Sequence, residues 1–187
     1  SSVSRNLLKS MKKSLFNEID ITEADQPVMA VQVPALTQWD YTCQELSLML
    51  PFQDPVNMGA AIRSAVAFGV KHIIVCENAA YPFHQKAVRA SAGAVFHCTI
   101  EKGPALHMLN TRTISCPILA LDMEGEHIYD YKFPPKAILV AGTEGPGLPV
   151  IDKAVKLKIP IHTVESLNAT VAVSIALYEW HKQKKCI

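Results

Sequence analysis

Apolar positions along this chain fall into two alternating patterns, short unbroken runs and stretches with a helical period. Leu46–Leu50, His72–Cys76, Val95–Cys98, Pro117–Leu121 and Ala137–Ala141 are runs of strand length. A shorter run at Val28–Val33 is bracketed by Pro27 and Pro34, and Leu157–Ile159 reads as a strand end. Helices are predicted over Asn57–Phe68, closed by Gly69, and over Phe83–Ala90, Pro104–Asn110, Val150–Ala154 and Leu167–Lys182. Unbroken apolar strands are buried on both sides, and strands that alternate with helices pair in parallel. The expected fold class is therefore α/β, a parallel sheet with helices on both faces. Residues 1–20 differ in charge. Leu7, Leu8, Met11 and Leu15 recur at helical spacing among Arg5, Lys9, Lys12 and Lys13, which predicts a basic amphipathic helix. Residues 35–45 have no period and read as linker.

Composition changes this picture little. A chain of 187 residues, 49% hydrophobic and 19% charged, fits one globular domain with a sizeable core. The net charge of +1 carries no global signature of polyanion binding, although a local basic surface is enough to bind nucleic acid. The five cysteines, Cys43, Cys76, Cys98, Cys116 and Cys186, form no C-x-x-C pair and lie mostly in apolar surroundings. They are expected as reduced core residues of a cytoplasmic protein, not as a disulfide framework or zinc ligands. No run approaches the ~18 apolar residues of a membrane helix, and no signal-peptide pattern is evident, so no membrane association is expected. Histidines such as His84, His97 and His162 do not cluster with other ligand types, so no metal is expected either.

Candidate chemistry concentrates in three stretches. In Ile138–Leu148 a strand end runs into Gly142, Gly145 and Gly147, with Glu144 among them. Such a turn admits a ligand close to the backbone. It matches neither G-x-x-x-x-G-K-[ST] nor G-x-G-x-x-G, which excludes a P-loop and a dinucleotide turn. Asn57–Gly69 places Asn57 at a helix start, where it suits an N-cap. Arg63 sits among Ala61, Ile62, Ala65 and Val66, where it can snorkel or grip a phosphate with two hydrogen bonds. Ile159–Ala172 reads as a strand end, a polar turn and a helix start that Ser166 or Asn168 can cap. Ser166 is not in a G-x-S-x-G elbow, so a hydrolase triad has no support.

Together these stretches resemble the SpoU (TrmH-like) branch of the SPOUT superfamily, the RNA ribose 2′-O-methyltransferases. NMGAAIRSAVAFG at 57–69 fits the first motif, N-x-G-x-x-x-R-[ST]-A-x-A-F-G. GTEGPGL at 142–148 fits the second, G-x-E-G-x-G-L, and IPIHTVESLNATVA at 159–172 supplies the I-P and S-L-N-x-[ST]-V-A of the third. Ser91, Gly93 and Ala94 fit a further pattern between them. The match covers roughly residues 46–182. The resemblance implies a C-terminal deep trefoil knot built from the 142–148 loop and the 159–167 turn, which topology rules alone would not suggest. It implies S-adenosylmethionine held by Gly142, Ile159 and Leu167, with Leu121 and Ile161 nearby. It makes Arg63 the catalytic arginine, with Asn57, Glu144, Ser166 and Asn168 shaping the site and no metal required. It further implies a homodimer acting on structured RNA. Residues 1–34 resemble the end of an N-terminal RNA-binding domain like ribosomal protein L30e, which favours ribosomal over transfer RNA; 46–187 would be the methyltransferase domain. Two other readings stay open, a SPOUT enzyme that methylates a base and a catalytically silent RNA-binding or assembly factor. Asn57 and Arg63 argue against the first, and the full set of polar site residues against the second.

Overall fold

Among the described residues seven strands pair in one all-parallel sheet, and the alternation of their side chains assigns its two layers. The strands are β1 (Thr37–Gln38), β2 (Leu46–Leu50), β3 (His72–Val75), β4 (Thr99–Lys102), β5 (Ile118–His127), β6 (Ala137–Val140) and β7 (Ala154–Lys158). Their order is β1-β4-β3-β2-β6-β5-β7. The computed structural model describes residues 18, 32–143 and 147–184 of the chain. Leu46, Leu48 and Leu50 pack on one face of the sheet with Ile73, Val75, Leu119 and Leu139. Met49, Ile74, Ile118, Ile138 and Val140 pack on the other. The unbroken apolar runs thus serve two cores at once.

Among the described residues three α-helices cover the first face: α1 (Pro55–Ala67), α2 (Gln85–Ala90) and α3 (Ala169–Lys184). Met58, Ile62 and Ala65 of α1 and Val173, Leu177 and Trp180 of α3 reach the same core. The opposite face is covered by the 3-10 turn Leu106–Thr111 and by irregular segments that bury Trp39 and Ile151. Among the described residues, then, the α-helices lie on one face and not on both. Leu106 and Leu109 are three positions apart, which matches a three-residue turn better than an α-helix.

Other boundaries also differ from the sequence reading. The expected strand at Val95–Cys98 is a 3-10 turn over Ala94–His97, and β4 begins at Thr99, whose N–H meets the Lys71 carbonyl. No helix forms over 150–154. Ile151 is drawn into the second core, and Ala154 already pairs with Ile118. Residues 35–45 are no loose linker, because β1 pairs with β4 and Trp39 is buried. They belong to the compact unit formed by Ala35–Ile187. Helix α1 starts two residues before Asn57: Asp54 is its N-cap, accepting from the Val56 and Asn57 N–H groups, with Pro55 next. Of the predicted helix over 1–20 only Glu18, helical and exposed, is among the described residues, and residues 28–31 lie outside them.

Two features hold the sheet laterally. On the second face Ser47, His72 and Glu101, from three neighbouring strands, form a polar chain that is buried at Ser47 and His72 and half-buried at Glu101. His72 Nδ1 lies 2.7 Å from Ser47 Oγ, and its Nε2 lies 2.8 Å from Glu101 Oε2. Cys43 and Cys116 are joined by a disulfide, which corrects the expectation of five reduced cysteines. Spacing hides this pair, because 73 positions separate its members. Burial pushes the Cys76 thiol up to about 12 and the Cys98 thiol up to about 11, so neither is a nucleophile at neutral pH.

Candidate active site

Because all strands run parallel, the segments leaving β5, β6 and β7 emerge at one edge of the sheet, where α/β folds bind ligands. They enclose a cavity of about 630 Å³, within the range of small-molecule sites. Leu121, Leu157, Ile159, Ile161 and Leu167 form apolar walls, and Gly142 lies beside them. Beside Gly142 the space is open, since an added Cβ would meet only the Leu121 carbonyl, in ordinary contact at 3.7 Å. The loop after β6 is drawn closed by the Thr143 hydroxyl, which donates to the Gly147 carbonyl. Gly147 has φ +83°, a conformation that glycine adopts without strain. Glu144 lies outside the described residues.

Ser166 and Asn168 also line the cavity, with different parts in the local structure. Asn168 caps α3: its Oδ1 accepts from the N–H groups of Thr170 at 2.9 Å and Val171 at 3.3 Å. Asn57 does not line the cavity, but it is tied to the same helix start. Thr170 Oγ1 lies 3.3 Å from Asn57 Oδ1 and 3.5 Å from its carbonyl oxygen. Ser174 Oγ, 2.8 Å from Ser64 Oγ, joins α3 to α1 one turn later. Arg63 stands on the exposed side of α1, away from the cavity. The structure therefore brings Leu121, Gly142, Ile159, Ile161, Ser166, Leu167 and Asn168 together. It places Asn57 next to them and leaves Arg63 outside.

Three charged residues of the cavity escaped the sequence reading, Asp122, Glu124 and Lys156. Lys156 Nζ lies 3.0 Å from Asp122 Oδ2, and the Glu124 N–H donates to Asp122 Oδ1 at 2.9 Å. Partial burial opposes ionisation of Asp122, but these hydrogen bonds and the Lys156 charge outweigh it and hold the carboxyl below its ordinary value. A signal was available: Asp122 is the first charged residue after an apolar strand run, at the ligand-binding edge. Among the described residues no group of three or more His, Cys, Asp or Glu is placed to hold a metal ion.

Known proteins resemble this chain in sequence and fold. The chain is 42% identical over 176 residues to ribosomal RNA small subunit methyltransferase G 2 of Syntrophobacter fumaroxidans, covering 92% of this chain and 35% of that protein. It is 27% identical over 184 residues to a 23S rRNA guanosine 2′-O-methyltransferase of Bacillus subtilis, covering 90% of this chain and 70% of that one. Its structure superposes on an AdoMet-bound rRNA methyltransferase from Sinorhizobium meliloti with a TM-score of 0.71 at 26% identity, covering 79% of this chain and 61% of the other. The chain thus spans little more than a third of the Syntrophobacter protein. A sequence profile described as the SpoU rRNA methylase family matches residues 47–178. With a profile match over most of its length and a shared structure, the chain belongs to the SpoU rRNA methylase family.

Proposed function

We propose that this chain carries the catalytic domain of an S-adenosylmethionine-dependent methyltransferase that modifies a ribose 2′-hydroxyl in RNA, with ribosomal RNA the favoured substrate. The observation that carries this reading is the convergence of two motif stretches, 142–148 and 159–172, on one cavity. The cavity fits the cofactor: apolar walls suit adenine, Gly142 leaves the backbone open, and Asp122, Glu124 and Lys156 offer partners for its polar groups. When bound, the cofactor supplies an electrophilic sulfonium methyl. Backbone groups near Gly142, Ile159 and Leu167 would hold it, and Leu121 and Ile161 would wall it in. Support for the 2′-hydroxyl comes from the first motif, Asn57 to Gly69, and from the name of the Bacillus relative. In this reading the 142–148 loop and the 159–167 turn form a deep trefoil knot.

Arg63 orients an RNA phosphate and stabilises negative charge growing on the ribose oxygen. A guanidinium is a poor proton acceptor, so it does not serve as the base. Its position on α1, away from the cavity of its own chain, favours a homodimer in which Arg63 of the partner subunit completes the site. The paired helices suit that arrangement, since Val56, Val171 and Tyr178 are exposed apolar residues on α1 and α3. Residues 1–34 are read as the end of an L30e-like RNA-binding domain.

The test is methylation of ribosomal RNA with labelled cofactor, followed by nucleoside analysis. Label is expected in 2′-O-methylnucleosides. R63A is expected to lower kcat about 100-fold or more while cofactor affinity stays within about twofold. Label in a base, or turnover by R63A at the wild-type rate, would refute the assignment. An active species that sediments as a monomer would refute the dimer.

A further inference from the structure

A second cavity opens at the same edge of the sheet, where β1, β3 and β4 end. It has a volume of about 530 Å³, and Tyr41, Tyr81, Lys102 and Arg112 stand in its wall with Glu77 and Asn78. Lys102 and Arg112 enter no ion pair among the described residues. With Glu77 as its only acidic residue, the lining carries a net positive charge. Two further cavities differ. The cofactor cavity pairs Lys156 with two acids, and a cavity at the opposite edge sets Asp40, Glu45 and Glu101 against Lys71. Of these three, the β1-β3-β4 cavity alone combines excess cations with exposed aromatic surface, the combination that binds single-stranded nucleic acid.

Its wall is held rigid. The Arg112 guanidinium lies 5.4 Å over the Tyr41 ring, whose centroid is 4.8 Å from that of buried Trp39. Tyr41 has φ +65° and Asn78 φ +66°, left-handed conformations that are costly for a bulky side chain such as tyrosine. Neighbours fix the strained turn. Trp39 Nε1 donates to the Thr42 carbonyl at 2.9 Å, the Thr42 N–H donates to Asp40 Oδ1 at 2.9 Å, and the disulfide follows at Cys43. Tyr81 is about half exposed and packs edge-on against Phe83, with 5.8 Å between centroids, which leaves its ring supported and open to solvent.

Sheet spacing sets the distance to the cofactor cavity. From β6 to β4 there are three strand steps, about 14 Å at ~4.8 Å each. That is about four nucleotides at a stacked rise of ~3.4 Å, and fewer if the strand is extended. The loop after β2, which leads to Asn57, lies between the two cavities. Resting on the methyltransferase reading, we propose that this cavity holds a nucleotide flanking the methylated one, its base stacked on Tyr81 and its phosphates met by Arg112 and Lys102.

The test uses a fluorescein-labelled, single-stranded RNA octamer of mixed sequence, with binding followed by anisotropy without cofactor. Y81A and R112A are each expected to weaken octamer binding about tenfold, whereas Y81F, which keeps the ring, stays within about twofold of wild type. In the same variants the KM for ribosomal RNA should rise in parallel, with kcat at saturating RNA and affinity for S-adenosylmethionine unchanged. Those last two readouts separate an RNA contact from a role in packing. Octamer affinity unchanged in both Y81A and R112A overturns the proposal, as does a wild-type protein that does not bind the octamer. A wild-type protein that binds the octamer through Tyr81 but methylates no RNA would sink the methyltransferase reading and leave the subsite standing.

Discussion

Gly59 tests how closely α1 is packed. It lies in α1, and a Cβ placed there would fall 2.2 Å from the Ala87 carbonyl oxygen and 2.8 Å from the Ala90 Cβ, both on α2. In G59A two terms favour the variant. Alanine is better than glycine inside a helix by about 1 kcal/mol, and burying one more carbon contributes ~0.8 kcal/mol. Against them stands the clash. The nearest atom is backbone, so it cannot rotate away, and the helices must part by about 1.2 Å to restore an ordinary contact of 3.4 Å. A gap of ~0.5–1 Å already forfeits a quarter to a half of each dispersion contact across the interface, and overpacking costs ~1–3 kcal/mol or more. With a clash this deep, the loss is set at or above the upper end. The net effect is a destabilisation of about 1–2 kcal/mol. Urea unfolding followed by circular dichroism should show a midpoint lower by ~0.5–1 M, for a slope of ~2 kcal/mol/M. Activity should fall as well, because Asn57 is two residues away. A G59A midpoint equal to or above that of wild type would refute the reasoning.

The remaining predictions concern a covalent tie and a charge pair. The disulfide closes a loop of 73 positions, so C43S/C116S, or treatment with dithiothreitol, should cost up to about 4 kcal/mol. That corresponds to a melting temperature ~8–16 °C lower for a unit of this size, and superimposable curves with and without reductant would disprove the contribution. Asp122 has a lowered pKa in the folded state, so the stability it contributes is present above its ordinary value of 3.8 and is lost as pH falls through its lower folded value. D122N should therefore flatten the acid limb of a stability-against-pH profile and leave the curve above pH ~6 parallel to wild type; an unchanged acid limb would count against the pairing with Lys156.

How much of this was legible in the sequence depends on the range of the interaction. The β2, β3 and β6 runs were readable because each strand is apolar on both faces, a local property. The cavity residues Gly142, Ile159 and Leu167 were readable because the motif stretches keep their spacing within a few residues. The strand at Thr99–Lys102 was missed because TIEK alternates at a sheet margin, while the more apolar AVFH beside it forms a turn after Gly93. Asn57 was read as a cap because an amide at a helix start normally is one, but Asp54 and Pro55 upstream make the stronger start. The Cys43–Cys116 bond, the Asp122–Lys156 pair and the meeting of Tyr41 with Arg112 join distant positions. Single-chain periodicity carries no information about such pairs.

The strand order also sets how the chain reaches this fold during synthesis. β2, β3 and β4 are neighbours in sequence and in the sheet, so with α1 and α2 they can assemble as soon as they leave the ribosome. β6 must then enter between β2 and β5, and Leu48 pairs with Leu139, 91 positions later. At ~5–20 residues per second the open edge of β2 waits roughly 5–18 s for its partner. During that time four apolar residues and Ser47 stand on an unpaired strand edge. The half-made sheet is therefore the state most prone to aggregate, and chaperones that shield nascent chains should raise the yield of the folded protein.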